Sequence, residues 1–269
     1  MIFLKCPVCG ERLFFLKTLY RCKNGHSFDR SREGYVNLLI SNRASHGDDK
    51  GMVRARNAFL EQGHYSCLRN ALSDLACKHC SDRVTLLDAG GGEGWYTFGV
   101  KEVLEDTGIP TDAVCVDISK EALKLAAKRG GLICTVASVT DLPVPDESVD
   151  LILNVFAPEA DAEFFRVLRK GGVLLRVVPC EEHLMGLKAA VYDTPRPNPA
   201  PQYAPDGFSL IERVDVRSTL TLNSTEEIQN LFSMTPYYYK TSVQDREKLT
   251  SLSSLTTELA FCIFAYKKD

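Results

Sequence analysis

The apolar run Val84–Leu87 leads straight into Asp88-Ala89-Gly90-Gly91-Gly92-Glu93-Gly94, and no other feature of the chain restricts its fold so tightly. A strand that ends in so many glycines must turn sharply, and a turn without side chains lets a ligand reach the backbone and the amino terminus of the next helix. The pattern then repeats. Further strands are predicted at Ala113–Asp117, Leu132–Val136, Val149–Asn154 and Val173–Val178, after a first at Val84–Asp88. Helices are predicted over Trp95–Asp106, Glu121–Lys128 and Ala160–Leu168, with Gly130-Gly131 and Gly171-Gly172 closing the second and third. Strands alternating with helices predict an α/β domain with a parallel sheet. At the carboxyl end we expect a helix from Ser224 to Phe232 and a last, antiparallel strand at Glu258–Tyr266, at the far side of the sheet.

The second strand ends in Asp117, placed to accept hydrogen bonds from both hydroxyls of a ribose. A glycine turn with such an acid suits NAD equally well. The spacing D-x-G-x-G-x-G, however, resembles that of S-adenosylmethionine methyltransferases rather than the G-x-G-x-x-G of dinucleotide enzymes. The stretch from Asp141 through Leu142-Pro143 to Asp150-Leu151 likewise resembles the class I methyltransferase segment that leads into the adenine pocket and the methyl-transfer site. Many of those enzymes carry an acid where this chain has Ser138, which predicts an adenine amine held by main-chain carbonyls and the Ser138 hydroxyl.

Near the amino terminus, Cys6-Pro7-Val8-Cys9 and Cys22-Lys23-Asn24-Gly25-His26 form C-x2-C-x12-C-x3-H. Two chelating pairs on tight turns, separated by a hairpin's length of chain (Arg12–Tyr20), can bring three thiolates and an imidazole to the corners of a tetrahedron. Four protein ligands leave no open position, so the predicted zinc is structural. A module this small cannot bury enough apolar surface to hold itself together without such a staple. The pair Cys77/Cys80 has the same short spacing but no second pair, and it ends the helical pattern of Leu68, Leu72, Leu75 and Ala76; those cysteines read as ordinary thiols.

The longest apolar runs, Val173–Pro179 and Leu151–Val155, fall far short of the roughly 20 residues that cross a bilayer. No h-region or cleavage site follows Met1. We therefore expect a soluble cytoplasmic protein, in which the ten cysteines stay reduced and serve as ligands or core. Residues 1–60 hold four Lys and seven Arg against three Asp and two Glu, a net of +6, which leaves −9 on the rest of a chain whose net charge is −3. A basic module on an acidic body suits a polyanionic partner.

After the zinc pattern come Phe28-Asp29, Glu33-Gly34-Tyr35-Val36-Asn37-Leu38-Leu39, Gly47-Asp48, Met52, Ala55-Arg56, Phe59-Leu60 and Gly63-His64-Tyr65. Ala157-Pro158, His183-Leu184-Met185, Leu187-Lys188 and Met234-Thr235-Pro236 follow. Over essentially its whole length the chain resembles the bacterial 23S rRNA guanine-N1 methyltransferases that modify hairpin 35, a family with a macrolide-resistance branch. The resemblance implies a small zinc-binding, RNA-recognising domain over residues 1–40, a helical linker over 41–64, and a Rossmann-like class I S-adenosylmethionine-dependent methyltransferase domain over 65–269. It implies a homodimer whose zinc domains help form an RNA cleft. By motif position it also implies cofactor contacts at Tyr65, Gly92, Glu93 and His183, to which the residue reading adds Asp88, Gly90, Asp117 and Ser138.

Guanine N1 lies on the Watson–Crick edge and carries a proton, so the target base must be splayed out, and methyl transfer needs a base for that proton or donors for the charge growing on O6. The candidates are His183, Glu159 and Asp161, with Asn154 at the end of the fourth strand; Asn154 could equally serve as a hydrogen-bonding strand end. The Pro-rich stretch 194–205 reads as a mobile loop over the RNA-facing side, or a linker. Two other functions fit parts of the pattern: a small-molecule methyltransferase, or a non-catalytic zinc-containing RNA-binding or assembly factor. The zinc reading predicts one metal per chain by elemental analysis, and Cys22→Ala should lose it and bind RNA more weakly, because ligation and folding of the module are coupled.

Overall fold

The computed structural model describes residues 4–40 and 47–269; of the expected linker, 41–46 lie outside the described residues. The amino-terminal module is a three-stranded antiparallel sheet of β1 (Leu13–Leu16), β2 (Leu19–Cys22) and β3 (Ser27–Asp29). The chain then extends as β4 (Tyr35–Asn37) and joins the large sheet, parallel to β7 (Leu132–Val136).

The remaining strands are β5 (Val84–Ala89), β6 (Thr111–Asp117), β8 (Val149–Val155), β9 (Leu168–Pro179), β10 (Phe208–Leu222) and β11 (Leu255–Lys268). Their order across the sheet is β4-β7-β6-β5-β8-β9-β11-β10. Strands β5 to β9 run parallel, and β11 lies antiparallel to both β9 and β10. The order reverses between β5 and β8, where an open α/β sheet leaves a crevice beyond the strands' carboxyl ends.

The helices that connect or cover these strands include α1 (Lys50–Glu61), α2 (Ser66–His79), α3 (Trp95–Asp106), α4 (Lys120–Lys128), α5 (Asp161–Val167), α6 (Met185–Val191) and α7 (Thr225–Ser233), with the short α8 (Tyr237–Lys240) and α9 (Val243–Glu247) before β11. Strand residues alternate between two cores. Leu86, Leu151, Leu153 and Phe261 pack with Leu68 and Leu72 of α2, Val100 of α3 and Ile228 of α7. Leu87, Val114, Ile152 and Phe264 face the opposite side and pack with Phe164 of α5 and with Leu4, Leu13, Val36 and Leu38. The small module thus covers part of a sheet face, and the Lys5 N–H donates to the Pro143 carbonyl at 2.8 Å to fasten it there.

Two expectations are corrected. The last strand is antiparallel but lies one place in from the edge, because β10 pairs outside it. Gly171-Gly172 does not close a helix: α5 ends at Val167, β9 starts at Leu168, and the pairing with β8 jumps from Val149–Leu168 to Leu151–Val173. The glycines lie in the bulge this jump creates, with Gly171 at φ +76°. Cys80, which ends α2, is buried at the helix end as an ordinary thiol.

Candidate active site and metal centre

In the small module, Cys6 and Cys9 lie on one turn and Cys22 and His26 on another; each turn is closed by main-chain bonds such as Gly10 N–H to Cys6 O and Gly25 N–H to Cys22 O. The four ligand atoms fall within 4.8 Å of one another. Cys6 Sγ and His26 Nδ1 are 3.6 Å apart, Cys9 Sγ and Cys22 Sγ 3.7 Å, and Cys22 Sγ and His26 Nδ1 3.4 Å. A tetrahedron with metal–sulfur arms of about 2.3 Å has edges of about 3.8 Å, slightly less where a nitrogen replaces a sulfur. The residues fit zinc, and the protein binds it as a structural ion.

The second site lies where β5 meets its glycine turn. Gly90 has φ +87°, and a Cβ there would come within 2.5 Å of the Ala157 Cβ on the segment after β8. At Gly91 a Cβ would strike Cys115 Sγ at 2.6 Å and the Asp88 carboxyl at 2.8 Å. Neither position has room for a side chain, so the turn itself offers only backbone. Helix α3 starts at Gly94 with no side-chain cap, so its first N–H groups remain available toward the turn.

Acids surround the cradle. Asp117, at the end of β6, accepts from Gly92 N–H at 2.9 Å and Ser119 N–H at 2.7 Å; burial raises its pKa despite those bonds. Asp88 is fully buried, takes the Thr97 hydroxyl at 2.5 Å on Oδ2, and has no partner on Oδ1. Burial pushes it up to about 7, opposed by the Thr97 bond and reinforced by Asp117 and Glu93. An orphaned buried carboxyl oxygen beside a side-chain-free cradle fits a cofactor that carries positive charge.

A residue absent from the sequence-predicted site joins these acids. Arg56 reaches over from α1, donates from Nε to Glu93 Oε2 at 2.8 Å and pairs with Asp48, and its guanidinium lies 3.0 Å from where a Gly92 Cβ would stand. Only its place in the Ala55-Arg56 pair could have marked it, since its partners lie up to 37 residues away in sequence.

His183 follows β9 and Tyr65 starts α2, and both are buried. Tyr65 Oη lies 3.5 Å from His183 Nε2, and His183 Nδ1 accepts the Ala260 N–H at 3.3 Å. The imidazole is therefore a neutral acceptor at Nδ1, and burial together with Lys188 lowers its pKa to about 3. Both rings pack on Phe261, with centroids 4.7 Å from His183 and 4.9 Å from Tyr65.

The other candidates separate clearly. Asn154 donates to Ala89 O at 3.0 Å and Pro158 O at 3.2 Å, and accepts from Arg176 at 2.8 Å. Asp161 accepts the Tyr203 hydroxyl. Glu159 takes Arg176 Nη2 at 2.5 Å yet leaves 57% of its side chain exposed. Ser138 lies just beyond β7 and is bonded to Thr140, 2.7 Å between hydroxyl oxygens. The Pro-rich stretch is tied down beside His183: Asn198 N–H donates to Glu181 O at 2.8 Å, and its side-chain amide donates to Cys180 O at 2.8 Å and His183 O at 3.3 Å.

Comparison with known proteins places these two sites together. A family profile described as "RlmA, N-terminal" matches residues 4–44, and one described as "Methyltransferase domain" matches residues 87–176. The chain is 37% identical over 230 residues to the 23S rRNA (guanine(748)-N(1))-methyltransferase of Streptomyces fradiae, covering 82% of this chain and 80% of that protein. YxjB of Bacillus subtilis (strain 168), whose name assigns a 23S rRNA (guanine-N(1)-)-methyltransferase activity provisionally, is 31% identical over 244 residues, 86% of this chain and 85% of its own.

The Asp88 carboxyl generates a test. Its folded pKa of about 7 stands above the unfolded value of 3.8, so the native state holds a proton that the unfolded chain has already lost. Stability from this group is complete below about pH 4 and is lost as pH rises to about 7, by at most about 4 kcal/mol. Asp88→Asn, which carries no such titration, should raise the melting midpoint of the cofactor-free protein more at pH 8 than at pH 5, and have little effect below about pH 4, in calorimetric scans.

Proposed function

We propose that this chain, which belongs to the family of 23S rRNA (guanine-N1)-methyltransferases, methylates N1 of one guanine in hairpin 35 of the large-subunit rRNA. The kinship to a guanine-N1 methyltransferase across four fifths of both chains carries the reading. The enzyme is S-adenosylmethionine-dependent, and the cofactor supplies an electrophilic methyl group that needs no further activation.

Within the cradle, Asp117 is suited to hold two ribose hydroxyls, exchanging its present N–H partners for them. Gly90, Gly92 and Glu93 offer backbone to the cofactor's amino-acid end, with Asp88 behind them and Ser138 on the adenine side. Tyr65 and His183 wall the cleft. His183 is a positioning residue in this reading: it is buried, its Nδ1 is occupied by Ala260, and with a pKa lowered to about 3 it takes up no proton near neutrality.

Glu159 is the candidate acceptor of the guanine N1 proton. Its carboxylate stands at the mouth, steered by the buried Arg176, whereas Asn154 and Asp161 are engaged with protein partners. A carboxylate in that place can accept N1–H and also meet the neighbouring exocyclic amine.

The small module offers RNA a mixed basic and aromatic face. Phe14, Phe15 and Leu16 are about half exposed, and the Arg12 and Arg30 guanidiniums lie 5.2 and 5.5 Å from the Phe14 and Phe15 ring centroids. Such surfaces follow a single strand by charge and by stacking. We keep 1–40, 41–64 and 65–269 as working boundaries for module, linker and catalytic domain. The family resemblance supports a homodimer with paired zinc domains, and a ribosomal substrate supports a cytoplasmic location. Among the described residues no helix is long and apolar enough to cross a membrane.

The test is methylation of a hairpin 35 transcript, mapped by mass and by a reverse-transcription stop. One guanine should gain a methyl group on its Watson–Crick edge, and a transcript that gains none refutes the reading. In single-turnover assays at saturating cofactor, Glu159→Gln should lower the rate about 10²- to 10⁴-fold, whereas His183→Asn should mainly weaken cofactor binding. With the His183 pKa depressed to about 3, the wild-type profile should contain no histidine-dependent rise between pH 5.5 and 8. A rise near pH 6.5 that vanishes in His183→Asn would return the base role to the histidine.

A further inference from the structure

Phe156 is the first residue after β8, and its ring is out of place by ordinary packing rules. It is 46% exposed, and its φ of +53° lies in the left-handed region that a bulky side chain rarely adopts. Among the described residues four non-glycine positions have such a φ: Lys17, Glu147, Phe156 and Leu184; of the two that follow β8 and β9, Leu184 is buried and Phe156 is not. Strain combined with apolar exposure destabilises the fold twice over, and such outliers persist where the surrounding structure enforces them.

That enforcement is visible on every side of the residue. Asn154 bonds both Ala89 O and Pro158 O, so the five-residue segment 154–158 is clamped against the end of β5. Ala157 fills the space that a Gly90 Cβ would need. The Phe156 N–H donates to Val177 O at 3.3 Å. Its ring leans on Phe261 with centroids 5.8 Å apart, and Phe261 in turn meets His183 and Tyr65. An aromatic series thus runs from the buried wall of the cleft out to one half-exposed phenyl ring, three residues before the Glu159 carboxylate.

We propose that Phe156 is the stacking platform for the extruded guanine: its exposed face carries the purine ring while Glu159 meets the base's Watson–Crick edge. A purine removed from its helix loses its stacking partners, and a phenyl face restores one without reading sequence. The left-handed φ turns the side chain out of the core and into the mouth. This inference rests on the guanine-N1 reading above and adds the residue that holds the base.

The experiment compares Phe156→Leu and Phe156→Tyr with wild type on the hairpin transcript, with S-adenosylmethionine affinity measured by calorimetry in parallel. Leucine keeps an apolar contact on Phe261 but has no π-face; tyrosine keeps the face. Phe156→Leu should lower kcat/KM for RNA about 5- to 150-fold and leave cofactor affinity within about twofold, while Phe156→Tyr should stay within about threefold of wild type. Full activity in the leucine variant overturns the proposal. So does equal impairment of both variants together with weakened cofactor binding, which would make Phe156 part of the cofactor wall. A wild-type enzyme that leaves every guanine of the transcript unmodified would instead fail the parent reading, so the two failures are distinguishable.

Discussion

The hydrogen bond from the Asn154 amide to Ala89 O joins β8 to β5, the two parallel strands between which the strand order reverses, and its bond to Pro158 O ties down the segment that follows β8. Strand β5 delivers the glycine turn proposed to hold the cofactor, and β8 delivers the segment that carries Phe156 and Glu159. The two depend on each other sterically, since the missing Cβ of Gly90 is what lets Ala157 approach. The glycine turn and the segment 154–158 are therefore one rigid unit, and in the proposed function that unit carries both cofactor and substrate. A methyl transfer that needs in-line alignment gains most from that rigidity, because orientation accounts for much of its barrier.

The charge arrangement follows from the same geometry. Asp88, Glu93 and Asp117 are brought together, and Arg56 pairs with Glu93 from a separate helix. Close acids in a buried place disfavour one another's ionisation, so the cofactor-free site is held at a free-energy cost that a bound cation relieves. The aromatic cluster is different in kind. Tyr65, His183 and Phe261 form a neutral, buried group of rings, and the histidine is kept uncharged by burial. The acidic turn attracts positive charge, whereas the rings offer only apolar packing.

The legible parts of the sequence were those with local causes. Strands β5 to β9 are short apolar runs bounded by glycines and acids, and each was recognisable from its own residues. The zinc ligands were legible because chelation imposes a spacing. Strand β10 escaped notice because as an edge strand it alternates exposed residues such as Arg213, Asp215 and Arg217 with half-buried ones such as Glu212, Val214 and Val216, a pattern without an apolar run. Strand β4 has three residues, and its partner lies about a hundred residues away. Gly171-Gly172 looked like a helix stop because a bulge and a helix end make the same demand on the backbone. The partners of Arg56, the depressed pKa of His183 and the exposure of Phe156 are products of tertiary contact, so no window of sequence contains them.

The metal module has a second role that the sheet makes plain. On the face opposite α2 and α3 the sheet is covered by α5 and by the small module, whose Leu4, Leu13, Val36 and Leu38 share a core with Leu87, Val114 and Ala89. Ala89 is also the residue whose carbonyl accepts the Asn154 amide. Two of the zinc ligands, Cys6 and Cys22, lie in that same core. The ion that fixes the module's shape thus helps fix the surface on which the end of β5 rests, and metal ligation reaches the cofactor turn through contiguous packing rather than through any bond. A zinc ribbon packed against the sheet in this way holds its exposed Phe14, Phe15 and Leu16 at a set distance and angle from the glycine turn, which is the fixed relation that the proposed RNA reading needs.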